Sequence, residues 1–216
     1  MKLFYHYCPA GFSNCYILGT DIPQADEEQS DAKPHKDAMP PGEAIIIDPG
    51  IMDSMILSLL EDNNYTLRGV LITHDHLHHV QGLTTISRIY DTEIYGINPA
   101  IREHRTNLVH DGDIIKIGPF RTEVIAIPGH SADSAVYKIE RLLFTGDALS
   151  AGLVGKTVST YAAATQISAL RSKLLSLPGD YTVLPGHGPP STLEAERRFN
   201  LGINSTEPRK RPFSIF

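Results

Sequence analysis

The sequence is poor in several features that would point to other kinds of protein. It holds two cysteines in 216 residues, Cys8 and Cys15. Two thiols make no disulfide framework, so free cysteines in a reducing compartment are expected. Cations are in deficit: 19 Lys and Arg against 25 Asp and Glu leave a net charge of −6. That balance argues against a large phosphate-gripping surface, and so against nucleic acid as a partner. Only EPRKRP, near the C-terminus, is locally basic, and it reads as a solvated tail. No stretch approaches the roughly 18 uninterrupted apolar residues of a membrane span. The N-terminal MKLFYHYCPAG has an early Pro and no apolar run long enough for a signal peptide. These absences lead to the expectation of a cytoplasmic protein with no membrane partner.

What is present describes an ordinary globular chain, 41% hydrophobic and 20% charged. Its length suits a single domain over residues 1–216 with a substantial core. No internal repeat interrupts it. KLFYHY and NCYILG read as two short strands around a turn at Pro9–Gly11. Residues 20–43 are polar and rich in Pro, Asp and Glu, and are expected to form a mobile surface insertion that contains a solvated His35. The core-type strand AIIIDPG follows at once, then an amphipathic helix over about 52–62 and the buried strand GVLIT. VQGLTTISRIY has apolar residues at helical spacing, as does a long segment over about 160–177, and LEAERRFNLG ends the pattern as a helix. TEIYG, DIIKIG, RTEVIAIP, SAVYKIE, RLLFTG and YTVLPG read as strands. Strands dominate both halves with helices between them, which predicts two packed sheets with helices outside, an α+β architecture.

Four polar clusters share one property: each directly follows a predicted strand. THDHLHH follows GVLIT, GHS (129–131) follows VIAIP, TGD (145–147) follows RLLF, and PGHG (185–188) follows YTVL. Side chains at strand ends sit on loops held by a rigid scaffold, where functional residues collect. Gly129, Gly146, Gly186 and Gly188 let the backbone turn sharply beside a crowded site. His74 and His76 alternate along an extended segment, so both rings can point to one side. Imidazole is the commonest transition-metal ligand. A set of satisfied core histidines is the competing reading, but so many imidazoles would be costly to bury without partners.

With these residues in view, the sequence resembles the metallo-β-lactamase superfamily, whose signature is H-x-H-x-D-H. The family's later His, bridging Asp and final His are matched by GHS, TGD and PGHG, in order and at compatible spacing. LLFTGDAL and LPGHGPPSTLEAERRFN make the chain most similar to the glyoxalase II-like branch of thioester hydrolases. The resemblance implies a four-layer αββα sandwich with a metal centre at one edge. It implies a first metal on His74, His76 and His130, and a second on His79 and His187 with Asp147 bridging. The implied cofactor is zinc, one or two ions, with iron or manganese also compatible. The implied chemistry is hydrolysis of a small ester or thioester by metal-bound hydroxide.

The chain departs from the pattern at His78, where the family carries Asp. A neutral imidazole removes a negative charge from the centre, which leaves the filling of the second site an open question. His78 is expected to ligate metal, to orient the water, or to carry a proton to the leaving group, its ordinary pKa near 6.5 suiting that role. Asp75 is expected to support the ligands or face solvent. Lys156 falls where glyoxalase II enzymes carry a basic residue that holds the glutathione moiety, and is expected to anchor a substrate carboxylate or to be a surface lysine. Val158 replaces the aromatic residue expected two positions on, and the additional C-terminal helical domain of those enzymes has no counterpart before residue 216. Both argue against strict glyoxalase II specificity.

AGLVGKT mimics a phosphate-binding loop but has Ser150 where Gly is required. Ser131 and Ser134 lack a nucleophile elbow and are expected to brace the loop of His130. His6, His104 and His110 are expected at structural or surface positions. Two alternatives to hydrolysis follow from the same residues. One is a mononuclear non-haem iron oxidoreductase of the persulfide dioxygenase type on His74, His130 and Asp147. The other is a catalytically degenerate metal-binding protein. The expected partner is a small-molecule substrate, while oligomeric state is not set by these motifs.

Overall fold

Apolar residues alternate sides along the central strands, and that alternation produces two sheets and three cores. In the computed structural model, which describes residues 1–20 and 40–204, the first sheet contains β1 (Lys2–Cys8), β2 (Ser13–Gly19), β3 (Gly42–Ile47), β4 (Tyr65–Leu71), β5 (Glu93–Gly96) and, beyond a hairpin of β6 (Ala100–Ile101) and β7 (His104–Arg105), β8 (Asn107–Leu108). The second contains β9 (Ile114–Ile117), β10 (Phe120–Ala126), β11 (Ala135–Ile139), β12 (Leu142–Gly146) and, beyond the hairpin β13 (Leu149–Ser150) and β14 (Leu153–Val154), β15 (Thr182–Pro185) and β16 (Ser191–Thr192). Their orders are β1-β2-β3-β4-β5-β8 and β16-β15-β12-β11-β10-β9. Most of the polar insertion expected at 20–43, with His35, and the EPRKRP tail lie outside the described residues.

In β3, Ile45 and Ile47 face the second sheet, while Ile46 faces outward to the helices. Tyr16 and Leu18 of β2 do the same, with Ile17 on the opposite side. The inward set meets Phe120, Val124, Tyr137, Phe144 and Leu184 of the second sheet. The outer face of the first sheet is covered by α1 (Ser54–Asp62), α2 (Leu77–Val80) and α3 (Leu83–Ile89), through Ile56, Leu60, Val80, Leu83 and Ile86. The outer face of the second is covered by α4 (Thr160–Ala169), α5 (Leu193–Phe199) and α6 (Leu201–Asn204), with Leu170, Leu174, Leu193 and Ile203 packed on Val136, Leu143 and Val183. Each fully buried Leu or Ile contributes about 1.5–3 kcal/mol relative to exposure. The result is the helix–sheet–sheet–helix order expected from the sequence.

All four predicted helices differ from their expected extent, the last, over LEAERRFNLG, being broken at the extended Asn200 into α5 and α6. The first starts at Ser54 because Asp53 caps it, its carboxylate accepting from Met55 N and Ile56 N at 3.1 Å. The helix expected over 80–90 spans only Leu83–Ile89, preceded by the separate short helix Leu77–Val80. Gly82 separates them, because its backbone lies so close to the Pro49 loop that a Cβ there would come within 2.7 Å of the Pro49 carbonyl. The long C-terminal helix ends as α-helix at Ala169 and widens over Leu170–Leu174, where Leu175 N donates to Leu170 O at 2.8 Å. Both Leu170 and Leu174 are thereby buried against the sheet. The strands β6–β8, β13–β14 and β16 have two residues each, too short to leave a period in the sequence.

Strand direction decides where the loops meet. β3, β4 and β5 are parallel, so the residues after β3 and β4 lie side by side. β10 and β12 are each antiparallel to β11, and β12 is parallel to β15, so these three run the same way. Their C-terminal ends therefore emerge at one edge of the second sheet. Main-chain bonds from Asn14 N to Gly186 O and from Ala135 N to Thr73 O, each 2.8 Å, join the two sheets there. No helix among the described residues is long and apolar enough to cross a membrane. Cys8 and Cys15 are both free and buried.

Candidate metal centre

The four strand-end clusters arrive at one place. Ring nitrogens of His74, His76 and His130 and a carboxylate oxygen of Asp147 lie within 4.8 Å of one another, and so do those of His79, Asp147 and His187. Asp147 joins the two groups. Its Oδ2 is 3.4 Å from His130 Nε2, 3.6 Å from His187 Nε2 and 3.9 Å from His74 Nε2, while Oδ1 is 3.5 Å from His79 Nε2. The turn after β15, which leads to His187, must pass very close to this point. At Gly186 an added Cβ would meet His79 Cε1 at 2.5 Å and Asp147 Oδ1 at 2.7 Å.

Partners on the far side of each ring decide which nitrogen faces inward. His130 Nδ1 donates to Lys156 O at 2.8 Å, and His187 Nδ1 to Phe12 O at 2.7 Å. A carbonyl can only accept, so Nδ1 carries the proton and Nε2 presents its lone pair to the centre. His79 Nδ1 donates to Asp48 Oδ2 at 3.0 Å. His74 Nδ1 is 3.1 Å from Thr73 Oγ1, whose own proton goes to Asp48 Oδ2 at 2.6 Å. His74 therefore also turns a lone pair inward.

This convergence would be repulsive among neutral groups. His76 Nδ1 lies 2.9 Å from His74 Nε2 and 3.0 Å from His130 Nε2. One proton cannot satisfy three nitrogens, whereas a tetrahedral metal with Zn–N bonds of about 2.0–2.1 Å has ligand–ligand edges of roughly 3.3 Å. His79 Nε2 and Asp147 Oδ1 are buried without a hydrogen-bond partner. Such orphaned atoms are rare unless something else satisfies them. The donor set, five imidazoles and one carboxylate with their outer nitrogens tied down, fits divalent transition metals.

Electrostatics agree with that reading. Burial, with the nearby His79, pushes His74 down to about 3, and burial also lowers His76 and His78. All three are neutral at pH 7, the form that ligates. His79 goes the other way: burial opposes its charge, yet Asp48 and Asp147 raise it to about 10. Burial works to raise Asp147 as well, but His79, 3.5 Å away, and then His187 and His74 hold it well below the usual carboxylate range. The protein thus attracts positive charge to His79 Nε2, the atom that faces Asp147.

Not every expected residue is gathered. His78 lies in neither group. It is exposed at the rim, its ring 5.5 Å from that of His187 and 5.7 Å from that of His79. An imidazole carries its nitrogens farther from the backbone than a carboxylate carries its oxygens, and here the ring extends to the edge of the site. Lys156 is exposed, and its contact with the centre is through its carbonyl rather than its ammonium group. Asp75 supports the loop from outside, paired with Arg102 Nε at 3.0 Å, while its own N–H donates to Asp133 Oδ2 at 2.9 Å. Ser131 and Ser134 bond each other at 2.7 Å beside His130. His6 pairs with Asp53 at 3.0 Å, His104 lies 3.3 Å from Thr84 Oγ1, and His110 is a surface residue beside Asp113.

Asp48 is the participant that the motif reading passed over. It is 2% exposed and adopts a φ of +51°, an arrangement that Asp tolerates better than most residues. Its two oxygens accept from Thr73 N, Thr73 Oγ1 and His79 Nδ1. One carboxylate thereby orients a ligand of each group. The signal was present, because IIIDPG is a fifth polar cluster placed directly after a strand.

Comparison with known proteins follows the same lines. A family model described as the metallo-beta-lactamase superfamily matches residues 39–187. The hydroxyacylglutathione hydrolase GloC of Haemophilus influenzae is 30% identical over 188 residues, which cover 75% of this chain and 88% of that protein. Among solved structures, ETHE1 from Myxococcus xanthus is similar with a TM-score of 0.76 at 22% identity, over 97% of this chain and 93% of its own. TTHA1623 in a di-iron-bound form is similar with a TM-score of 0.70 at 22% identity, over 91% and 98%. The chain belongs to the metallo-beta-lactamase superfamily, among its glyoxalase II-like members.

Proposed function

We propose that the protein is a metal-dependent hydrolase that cleaves a small ester or thioester. The observation that carries this reading is the convergence of imidazole lone pairs on Asp147 from two sides. Paired metals held by His74, His76, His130, His79, His187 and Asp147 would lower the pKa of bound water to near 7 and polarise a carbonyl oxygen. The remaining work belongs to the chain. Thr73 and Asp48 keep the inner rings in one tautomer, and the Lys156 and Phe12 carbonyls do so for the outer two. His78 stands free at the rim, where its neutral ring takes a proton and passes it to the departing thiol or alcohol. Lys156, on the loop that orients His130, is the anchor for a substrate carboxylate. The name of GloC supports a thioester, because a hydroxyacylglutathione joins its acyl group to sulfur.

The test is metal analysis of protein purified without added metal, followed by turnover of an ester, thioester, lactone and phosphodiester panel. Bound metal with ester or thioester cleavage that a chelator abolishes is the expected result. Bound metal with no turnover of any substrate would instead mark a binding protein.

One observation favours a second reading. The first group offers four ligand atoms and the second three, a set suited to a single metal on His74, His130 and Asp147 with His76 beside it. That arrangement suits non-haem iron and oxidation of a persulfide. Iron in the purified protein and oxygen uptake with a persulfide, without thioester cleavage, would replace hydrolysis by this reaction.

A further inference from the structure

The two ligand groups differ in a way that predicts how the centre loads, an inference that rests on the metal reading above. The first group has four donor atoms, the second three, and Asp147 is counted in both. Asp147 is also the only carboxylate in either group. Two divalent cations would bring four positive charges to one ligand carboxylate. The other buried carboxylate, Asp48, lies behind Thr73 and accepts from the outer nitrogen of His79 at 3.0 Å, so it supports the ligands but offers neither cation an oxygen. Like charges repel more strongly where water is excluded, so the second cation enters against a repulsion that one shared aspartate only partly offsets.

His78 occupies the position from which this could be changed. Its ring centre is 5.7 Å from that of His79 and 5.5 Å from that of His187, both in the poorer group. Ser13 Oγ donates to its carbonyl at 2.6 Å, which holds the backbone beside the site. Yet its side chain adds neither a ligand atom nor a negative charge.

We propose that the centre fills in two unequal steps and that the lack of a carboxylate at position 78 keeps the second step the weaker. The first cation is held by His74, His76, His130 and Asp147, and the second, at least about tenfold weaker, by His79, Asp147 and His187.

The full-length chain, stripped by a chelator and checked for unaltered circular dichroism, is titrated with Zn2+ and with Co2+ by calorimetry, with Co2+ visible absorption reporting each step. Wild type is expected to take one equivalent tightly and a second at least about tenfold more weakly. His78→Asp, which places a carboxylate nearer the second group, narrows the gap by about tenfold or more. His78→Ala leaves both steps within about twofold of wild type. Two equal equivalents in wild type overturn the proposal, as does an unchanged gap in His78→Asp. Loss of the second step in His78→Ala overturns it too, by showing that His78 is itself a ligand. A chain that binds no cation at all would fail differently, since that outcome also removes the proposed hydrolase.

Discussion

The two sides of the centre hold their ligands by different means. On the inner side, His74 and His79 are enclosed, at 1% and 0% exposure, and their outer nitrogens lead to one buried carboxylate. On the outer side, His130 and His187 are 12% and 34% exposed and donate to main-chain carbonyls. A carboxylate partner adds charge, raises ligand basicity and is lost with a single substitution. A carbonyl partner is indifferent to the side chain that bears it and depends only on the path of its loop. The inner half is therefore electrostatically biased and rigid, and the outer half is the one free to face substrate.

The largest expected effect erases the comparison by removing the residue both sides share. Asp147→Ala is expected to lower turnover about a thousandfold, equivalent to several kcal/mol of lost transition-state stabilisation. Metal content measured in parallel should fall too, and a fully active, fully loaded variant would end the hydrolase reading. Asp48→Asn addresses the inner side alone. Its amide puts N–H groups against donors, so metal affinity is expected to drop about 10- to 100-fold by competition with a chromogenic chelator. An unaltered affinity would mean that the rings need no charged partner.

Two milder substitutions address the outer side. Lys156→Ala leaves the carbonyl that orients His130, so metal affinity should stay within about twofold. If the ammonium group anchors substrate, KM for a carboxylate-bearing thioester rises up to about fivefold, the roughly 1 kcal/mol of an exposed charge pair at best. Phe12→Ala carries the smallest effect. Phe12 is 70% exposed, and the carbonyl that receives the His187 proton survives the change. Metal affinity measured by calorimetry should therefore match wild type. A clear loss in either variant would show that the side chains, and not the loop paths, hold the outer ligands.

Much of this arrangement was legible in the chain. Near-continuous apolar runs such as AIII and CYIL announce strands because a sheet between two apolar layers has both faces covered. THDHLHH, GHS, TGD and PGHG announce a site because polar groups so concentrated after buried strands need a common partner. Helix limits were less legible. Gly82 breaks a periodic segment on account of a neighbour at Pro49, and the wide turn at Leu170–Leu174 follows the sheet beneath it.

By itself, the sequence determined the layers, the strand-end loops and the identity of the residues able to hold a metal, since hydrophobic period and side-chain chemistry are properties of short segments. Tertiary structure alone decided that Asp48 stands behind both ligand groups, that His78 stays at the rim, and that the carbonyls of Phe12 and Lys156 choose a ring's tautomer. Those are facts about distance between segments far apart in the chain, and about backbone atoms that every residue carries alike.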